Sequence, residues 1–446
     1  MRSVYGAGAM SRLLRLARLP VFLAAAALLT PLPAHCLTWD YVPTISVGTL
    51  YESNPRSVSQ SSLEDDAYAA TAIAQLDIVG ETAASRLAFQ PRAEGAVYTG
   101  TTNASDYDYL NYFLPVSAQW TRQLAQFDLD ASYRKTSTRS FPSVDPNTDP
   151  ETNPTRPRID EYQETWSLRP SASWQLDQRD ILSVSLDLDD VSFTKSDITG
   201  RPDYQGAIGE VSYTRSLNTQ NRISATGSLN AYSSELPGTL IENDTVTYGV
   251  YLGYEFSWSE STSMGANVGG AWSDISVKGL PVISTPLGLL PCLDPAQQIF
   301  VPCELKSDDK NFLGQLFFRQ QTAESITTEL SVGRSIQPSS DGAQVTSDSA
   351  SAFMTKKISP MVTGSLGATY SRQEAIGARD VSGGIGQRFD REYYSVQASL
   401  TWRLTRTWRV QGAYSFYQDE QTEGVSYTVP RHRVNVYLTY TGLGSH

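Results

Sequence analysis

The sequence has little charge, few cysteines and histidines, and no long apolar run beyond its first 36 residues. Charged residues make up 18% of the 446, below a globular norm of roughly 25%. Three cysteines are too few for a disulfide scaffold, and the missing run of about 18 apolar residues excludes a helical membrane protein. No convincing amphipathic helix occurs, although a soluble α/β enzyme of this length needs several. These absences favour an all-β chain.

The first 36 residues have the pattern of a secretory signal peptide. Four arginines and no acid precede the apolar stretch at 21–32. Small residues favour cleavage after Cys36; a lipoprotein is the alternative, but it requires a small residue where His35 stands. Removing this segment changes the net charge from −12 to −16, because four bases and no acid are lost. An acidic mature chain argues against nucleic acid as a partner.

Two cysteines remain after cleavage, Cys292 and Cys303. They lie in a proline-rich segment that reads as a loop. Because an exported chain folds in an oxidising compartment, we predict a disulfide between them, with two buried free thiols as the alternative.

From Tyr41 onward, apolar and polar residues alternate with a period of two, which is typical of strands with one apolar and one polar face. The pattern predicts about eighteen strands, near 41–52, 66–79, 85–99, 108–120, 125–135, 160–175, 181–194, 204–215, 222–233, 246–258, 262–274, 311–320, 326–336, 348–357, 361–371, 391–403, 407–418 and 431–442. Sixteen remains an alternative, because the two faces of the strands at 66–79 and 348–357 are poorly separated.

The spacing of these segments predicts a single antiparallel transmembrane β-barrel of the outer-membrane type over 37–446. Short connections alternate with long ones, the latter at 53–65, 136–159, 275–310 and 372–390, as in barrels with short periplasmic turns and long outer loops. Five tryptophans stand beside short turns, namely Trp120, Trp174, Trp258, Trp402 and Trp408. Aromatic residues of outward parity near the long loops are Tyr51, Tyr133, Tyr162, Trp166, Trp272, Tyr370, Tyr394 and Phe416. A soluble sandwich or propeller would also alternate, but would have no reason to sort tryptophan to one strand end.

Polar residues of inward parity predict what lines the lumen. We expect the residues near mid-strand to be candidates for selectivity: Arg92, Glu94, Asp130, Arg169, Asp187, Glu210, Gln315, Glu329, Gln397 and Gln411. The whole inward set holds ten acids and eight bases. These charges either form a wet selectivity surface or merely satisfy one another inside a wide barrel.

Many small residues also have inward parity, and they predict an open lumen. Examples are Gly249, Gly253, Gly265, Gly269, Gly367, Ser183, Ser224 and Ser365. The few large inward residues are Phe113, Tyr251, Phe317, Phe353, Tyr393 and Tyr417. Such aromatics could stack on sugar rings or could simply support the barrel wall.

Catalytic and cofactor motifs are missing. The sequence contains no phosphate-binding loop, dinucleotide fingerprint or metal-spaced Cys/His cluster, so we predict no enzyme, no cofactor and no metal site. His432 has outward parity near a strand end, but no serine stands beside it in a defensible pattern. The acidic run at 187–190 lacks the glycine of a calcium loop.

The segment TISVGTLYESNPRSVSQSSLEDDAYAATAIAQLDIVG at 44–80, with SRLAFQPRAEGAVYTG at 85–100, resembles outer-membrane β-barrel proteins found with exopolysaccharide and exosortase loci, the β-barrel porin 2 group. The resemblance implies a barrel in polysaccharide secretion or surface assembly, with polysaccharide and periplasmic export machinery as partners. Alginate export porins are a contrast, because that family has a strongly basic lumen for a polyanion. The mixed charges predicted here disfavour such a polymer.

We therefore expect a channel in the outer membrane of a Gram-negative cell, embedded in its lipid, for an exopolysaccharide or its fragments. The alternative is a structural or surface-interaction barrel with a closed lumen. In that case the long loops at 136–159 and 275–310 would bind a polymer or partner.

Overall fold

The computed structural model describes residues 38–54, 66–100, 107–138, 161–194, 202–235, 242–280, 283–285, 288–290, 303–322, 325–338, 344–375, 390–423 and 425–443. The predicted signal peptide at 1–36 lies outside them, as does Cys292. Within these ranges, no helix has both the length and the apolar character needed to span a membrane.

The described residues form 21 strands, numbered in chain order. They are β1 (Thr38–Ser53), β2 (Asp66–Glu81), β3 (Ser85–Phe89), β4 (Arg92–Thr99), β5 (Tyr109–Thr121), β6 (Ala125–Ser137), β7 (Tyr162–Gln175), β8 (Asp180–Phe193), β9 (Asp203–Ser216), β10 (Asn221–Glu235), β11 (Glu242–Ser259), β12 (Thr262–Leu280), β13 (Ile283–Thr285), β14 (Gly288–Leu290), β15 (Cys303–Thr322), β16 (Ile326–Pro338), β17 (Gln344–Ser359), β18 (Val362–Ala375), β19 (Asp390–Arg403), β20 (Trp408–Glu423) and β21 (Val425–Thr441).

Nineteen of these strands form one closed antiparallel sheet, and β13 and β14 pair separately. The sheet closes because β1 pairs with β2 on one side and with β21 on the other, from Thr44 opposite Thr441 to Glu52 opposite Arg433. Strands β3 and β4 share one position, since both lie between β2 and β5. The barrel therefore has 18 positions, which confirms the predicted all-β outer-membrane-type barrel.

Each of the eighteen predicted strands has a counterpart in the barrel. The two with poorly separated faces are genuine members: β2 pairs with β1 along its whole length, and β17 pairs with both β16 and β18. The alternative of sixteen strands is therefore wrong.

Strands at the long-connection end extend further than predicted. Strand β12 runs to Leu280 and β15 begins at Cys303, so the predicted loop at 275–310 is partly strand. Their outer ends keep pairing, with Asp274 opposite Asp308 and Ile275 opposite Ser307. Polar residues occupy both faces of β15 there, so the alternation that predicts a strand fades while the backbone ladder continues.

The predicted strand at 85–99 is interrupted at Gln90 and Pro91. Proline has no N–H for the hydrogen-bond ladder. A second proline, Pro115, lies on the neighbouring strand β5. The remaining groups pair irregularly: the amide of Gln90 donates to the carbonyl of Pro115 at 3.2 Å, and that of Leu76 donates to the carbonyl of Pro91 at 3.1 Å. The seam between β3/β4 and β5 is therefore locally distorted.

The outward face carries exposed apolar residues between two aromatic belts, as lipid contact requires. All five predicted tryptophans lie beside short turns, where Trp120 and Phe127 are in ring contact, as are Trp408 and Tyr440. At the other end of the strands, ring pairs join Tyr51 to Tyr68, Tyr133 to Trp166 and Tyr370 to Tyr394, with centroids 4.5 to 5.3 Å apart. The predicted sorting of aromatic residues is confirmed.

Inward glycines accommodate inward aromatic rings on the neighbouring strands. Each of four pairs lies directly opposite in register: Phe353 with Gly367, Phe317 with Gly265, Tyr251 with Gly269 and Tyr437 with Gly48. A Cβ at Gly367 would lie 2.7 Å from the ring of Phe353. The sequence-based view that these glycines leave volume for water needs correcting, because the space over them is taken by rings that lie against the wall.

The glycine–aromatic pairs generate a stability prediction. We expect Gly367→Ala to destabilise the folded barrel by about 1–3 kcal/mol, because the new Cβ forces the Phe353 ring out of place. Urea unfolding in detergent micelles, followed by tryptophan fluorescence, measures the change. Gly206→Ala is the matched control, since no atom lies within 4 Å of a Cβ at Gly206. Equal stability of both variants would contradict the role given to the ring contact.

Candidate functional site in the barrel lumen

Inward charged residues are exposed in the half of the barrel near the short turns. The side chain of Arg169 is 53% exposed and that of Arg319 is 64% exposed. Lys357, Arg403 and Arg409 are also exposed at this end. The lumen wall here is therefore open to water and polar.

Two of these arginines, Arg169 and Arg319, pair with carboxylates on neighbouring strands. The Nε of Arg169 donates to Asp187 at 2.9 Å, and that of Arg319 donates to Glu329 at the same distance. Along one strand, Arg92 binds the carboxylate of Glu94. Opposite charges therefore lie side by side on β4, β7–β8 and β15–β16, whereas Arg403 and Arg409 stand opposite each other on β19 and β20.

A second set of inward residues is almost fully buried in the half of the barrel near the long connections. We call it the buried polar layer; it comprises Glu52, Glu94, Tyr98, Tyr109, Asn111, Arg391, Asp419, Arg431, Arg433 and Asn435, each at most 6% exposed. These residues lie on β1, β4, β5, β19, β20 and β21. Five of them carry charge in addition to the sequence-predicted Glu94: Glu52, Arg391, Asp419, Arg431 and Arg433.

Hydrogen bonds tie the buried polar layer together. Arg391 binds Asp419 through two bonds, Nε to Oδ1 at 2.7 Å and a terminal nitrogen to Oδ2 at 3.1 Å. The phenol of Tyr98 donates to Glu52 at 3.2 Å. The pair of Arg391 and Asp419 is bidentate and charge-assisted, and such pairs are the strong ones in a low-dielectric setting. The layer thus combines burial with specific pairing.

The sequence-predicted lumen candidates fall into three environments. Glu94 belongs to the buried polar layer, and Arg92 lies at its edge with its guanidinium 4.9 Å from the ring centroid of Phe113. Asp130 stands opposite Arg169, which binds Asp187, so these three candidates form one group. The remaining five lie apart from these two groups along the wall, and Glu329 among them binds Arg319: Glu210, Gln315, Glu329, Gln397 and Gln411. Their role in selectivity stays a prediction.

Other inward aromatics also have defined partners. Tyr393 and Tyr417 stack with centroids 6.2 Å apart. Tyr251, Phe317 and Phe353 lie over the glycines described above. Wall support therefore accounts for these rings.

Sequence reasoning missed the basic residues of the buried polar layer. Arg431 and Arg433 alternate with Val434 and Val436, whose outward exposure is plain, so parity alone could have placed both arginines inside. The alternation does not predict that both arginines are buried, because burial depends on residues that are distant in the sequence.

His432 and the acidic residues show no catalytic or metal-binding arrangement within the described ranges. Nδ1 of His432 lies 2.9 Å from the hydroxyl of Tyr414, and its ring packs on Phe416 in the outward aromatic belt. Ser53 accepts a hydrogen bond from the backbone amide of His432. No group of three or more metal-ligating side chains occurs in the part of the chain that the structure describes. The proposed disulfide cannot be placed, since Cys292 lies outside that part, and it stays a prediction.

The buried ion pair generates a second stability prediction. We expect Asp419→Asn to destabilise the barrel by roughly 3–5 kcal/mol, because it leaves the guanidinium of Arg391 buried without its counter-charge. Glu329→Gln breaks an exposed pair and should change the unfolding free energy by about 0–1 kcal/mol. Urea unfolding of both variants in the same micelles makes the comparison. A smaller effect at position 419 than at 329 would show that Asp419 is not buried as described.

Comparison with known proteins gives structural likeness alone. No family model and no curated protein matches the sequence. Among solved structures, the open form of the ferric-catecholate import receptor Fiu from E. coli K12 is similar at 7% identity and a TM-score of 0.46, covering 90% of this chain and 81% of that one. OpdK from Pseudomonas aeruginosa, solved with vanillate, is similar at 10% identity and a TM-score of 0.40, covering 91% and 99%. OccK2 (OpdF) from the same organism, solved with glucuronate, gives 10% and 0.41, covering 91% and 98%. The barrel architecture of this chain rests on its own strand pairing.

Proposed function

We propose that this chain is a channel of the Gram-negative outer membrane that passes a neutral or mixed-charge polysaccharide or its fragments. One observation carries the proposal: a closed barrel of 18 positions whose inward wall carries exposed side chains of both charges. Barrels of this size commonly enclose an aqueous interior. The aromatic belts and the apolar outward face support a place in outer-membrane lipid.

The polysaccharide part of the proposal rests on the sequence resemblance and on the charge balance. Two arginines in the open half pair with carboxylates on adjacent strands, Arg169 with Asp187 and Arg319 with Glu329. A polyanion would be drawn by an unbalanced basic wall, whereas locally cancelled charges favour a chain that carries hydroxyl groups and little net charge. The signal peptide at 1–36 and the periplasmic export partners belong to the same proposal.

Planar-bilayer recording tests the channel. We expect stable conductance from the purified folded protein and a shift of ion selectivity towards anions in Glu210→Arg, because this residue is exposed on the inward wall and near charges set local ion concentration. Glu392→Arg is the matched control; it makes the same charge change beside the outward Tyr394. Absence of conductance in folded protein would overturn the channel, and unchanged selectivity in Glu210→Arg would remove that residue from the ion path.

A structural barrel with a closed lumen is the second candidate, favoured by the buried polar layer. Residues such as Arg431 and Glu52 are 1% exposed, so water does not reach this stretch of wall. Deleting 139–160 between β6 and β7 should then abolish polymer attachment to cells without changing bilayer conductance. Loss of secretion with attachment intact would favour the channel.

A further inference from the structure

A row of inward side chains crosses the wall from β3 to β8 in direct register. Ala88 lies opposite Ser117, Ser117 opposite Asp130, and Asp130 opposite Arg169. Arg169 in turn binds Asp187 on β8. The row therefore begins with small side chains and ends in a group of opposite charges.

The next row towards the long connections is also made of small side chains. Pro115 lies opposite Ser132, Ser132 opposite Ser167, and Ser167 opposite Asp189. Gln90 completes the row where strands β3 and β4 are interrupted. Its backbone N–H donates a hydrogen bond to the carbonyl of Pro115. The short side chains of Ala88, Ser117, Pro115, Ser132 and Ser167 thus lie together on one patch of wall.

Larger side chains border this patch above and below. In register, the row above contains Arg92, Phe113 and Arg134, and the row below contains Arg86, Gln119 and Asp128. The short rows between them form a cavity of about 190 Å³ lined by Gln90, Ser117, Asp130, Ser132, Ser167 and Arg169. This volume equals about six water molecules at roughly 30 Å³ each, which is enough for one sugar ring.

The cavity presents the buried hydroxyl of Ser167. This serine is 8% exposed and stands opposite the carboxylate of Asp189, and its Oγ makes no hydrogen bond of normal geometry within the described ranges. Buried polar groups nearly always have a partner. An unmatched hydroxyl in the lining of a cavity therefore points to a ligand that can hydrogen-bond to it.

The chemistry of the lining selects a neutral ligand rich in hydroxyl groups. It combines an amide, three serine hydroxyls, a carboxylate and a guanidinium, which together can donate to and accept from many hydroxyls. Asp130 and Arg169 bring opposite charges to the same row, so neither a strong anion nor a strong cation gains from the site. An apolar ligand would leave these groups without partners.

We propose that this cavity is a wall subsite that binds one neutral sugar unit of the passing polymer. The assignment rests on the proposed function for its biological setting, but the binding itself can be measured without transport. Gln90 and Ser167 contact the sugar hydroxyls, and the pair of Asp130 and Arg169 closes one side of the site.

Ser117→Leu is the direct test, because its longer side chain fills the cavity. With maltohexaose as the neutral probe, we expect the wild-type protein to show a concentration-dependent block of bilayer current. Ser117→Leu should weaken the apparent affinity at least tenfold. Ser167→Ala keeps the volume and removes the unmatched hydroxyl, so it should weaken binding about threefold.

Ser331→Leu is the matched control. This serine also faces inward, on β16 across the barrel, where its hydroxyl lies 2.7 Å from that of Ser351. It introduces the same side chain into the lumen away from the cavity, so its maltohexaose affinity should equal that of the wild type. Heat-modifiable migration on gels first establishes that each variant is folded.

Saturation-transfer NMR on the micelle-solubilised protein separates this inference from the proposed function, because it detects maltohexaose binding without conductance. Binding that Ser117→Leu abolishes and Ser331→Leu retains would support the subsite even in a barrel that does not conduct. A conducting barrel without maltohexaose binding would overturn the subsite and leave the channel standing. Equal weakening in both leucine variants would also overturn it, since narrowing of the lumen would then be the cause.

Discussion

Pairing of every backbone N–H and C=O group is the constraint on which this structure depends. In lipid an unpaired group has no water to replace its partner, so a sheet must close on itself. Closure here depends on the ladder between β1 and β21, which joins the two ends of the described barrel. Once the ring is closed, each side chain faces either lipid or lumen. The apolar face, the aromatic belts and the polar wall all follow from that division.

Much of the fold could be predicted from sequence because lipid enforces the alternation of apolar and polar residues. Parity placed Arg169 and Glu210 on the inward face and Trp258 on the outward one. It also marked β2 as a strand although its faces are poorly separated. The break at Pro91 was missed, since a single proline barely alters a period of two.

Burial within the lumen could not be predicted from any local pattern. Arg92 and Arg433 share inward parity, but Arg433 is 3% exposed whereas the side chain of Arg92 retains 21%. Burial of inward side chains depends on contacts between residues that are distant in sequence. Buried Thr247, for example, donates a hydrogen bond to Gln344, 97 positions away. The charged lumen is consequently divided into a wet half and a dry half that the sequence alone presents as one.

The glycine–aromatic pairs have a consequence for assembly of the barrel. Each ring finds its glycine only at one alignment of two strands. A shift of two residues keeps every side chain on its own face, yet it would bring Phe353 against Ser365 or Thr369 instead of Gly367. Contact with lipid does not disfavour such a shift of register, because the apolar face stays outward. The four pairs therefore favour the correct register between neighbouring strands, and they do so through contacts inside the barrel.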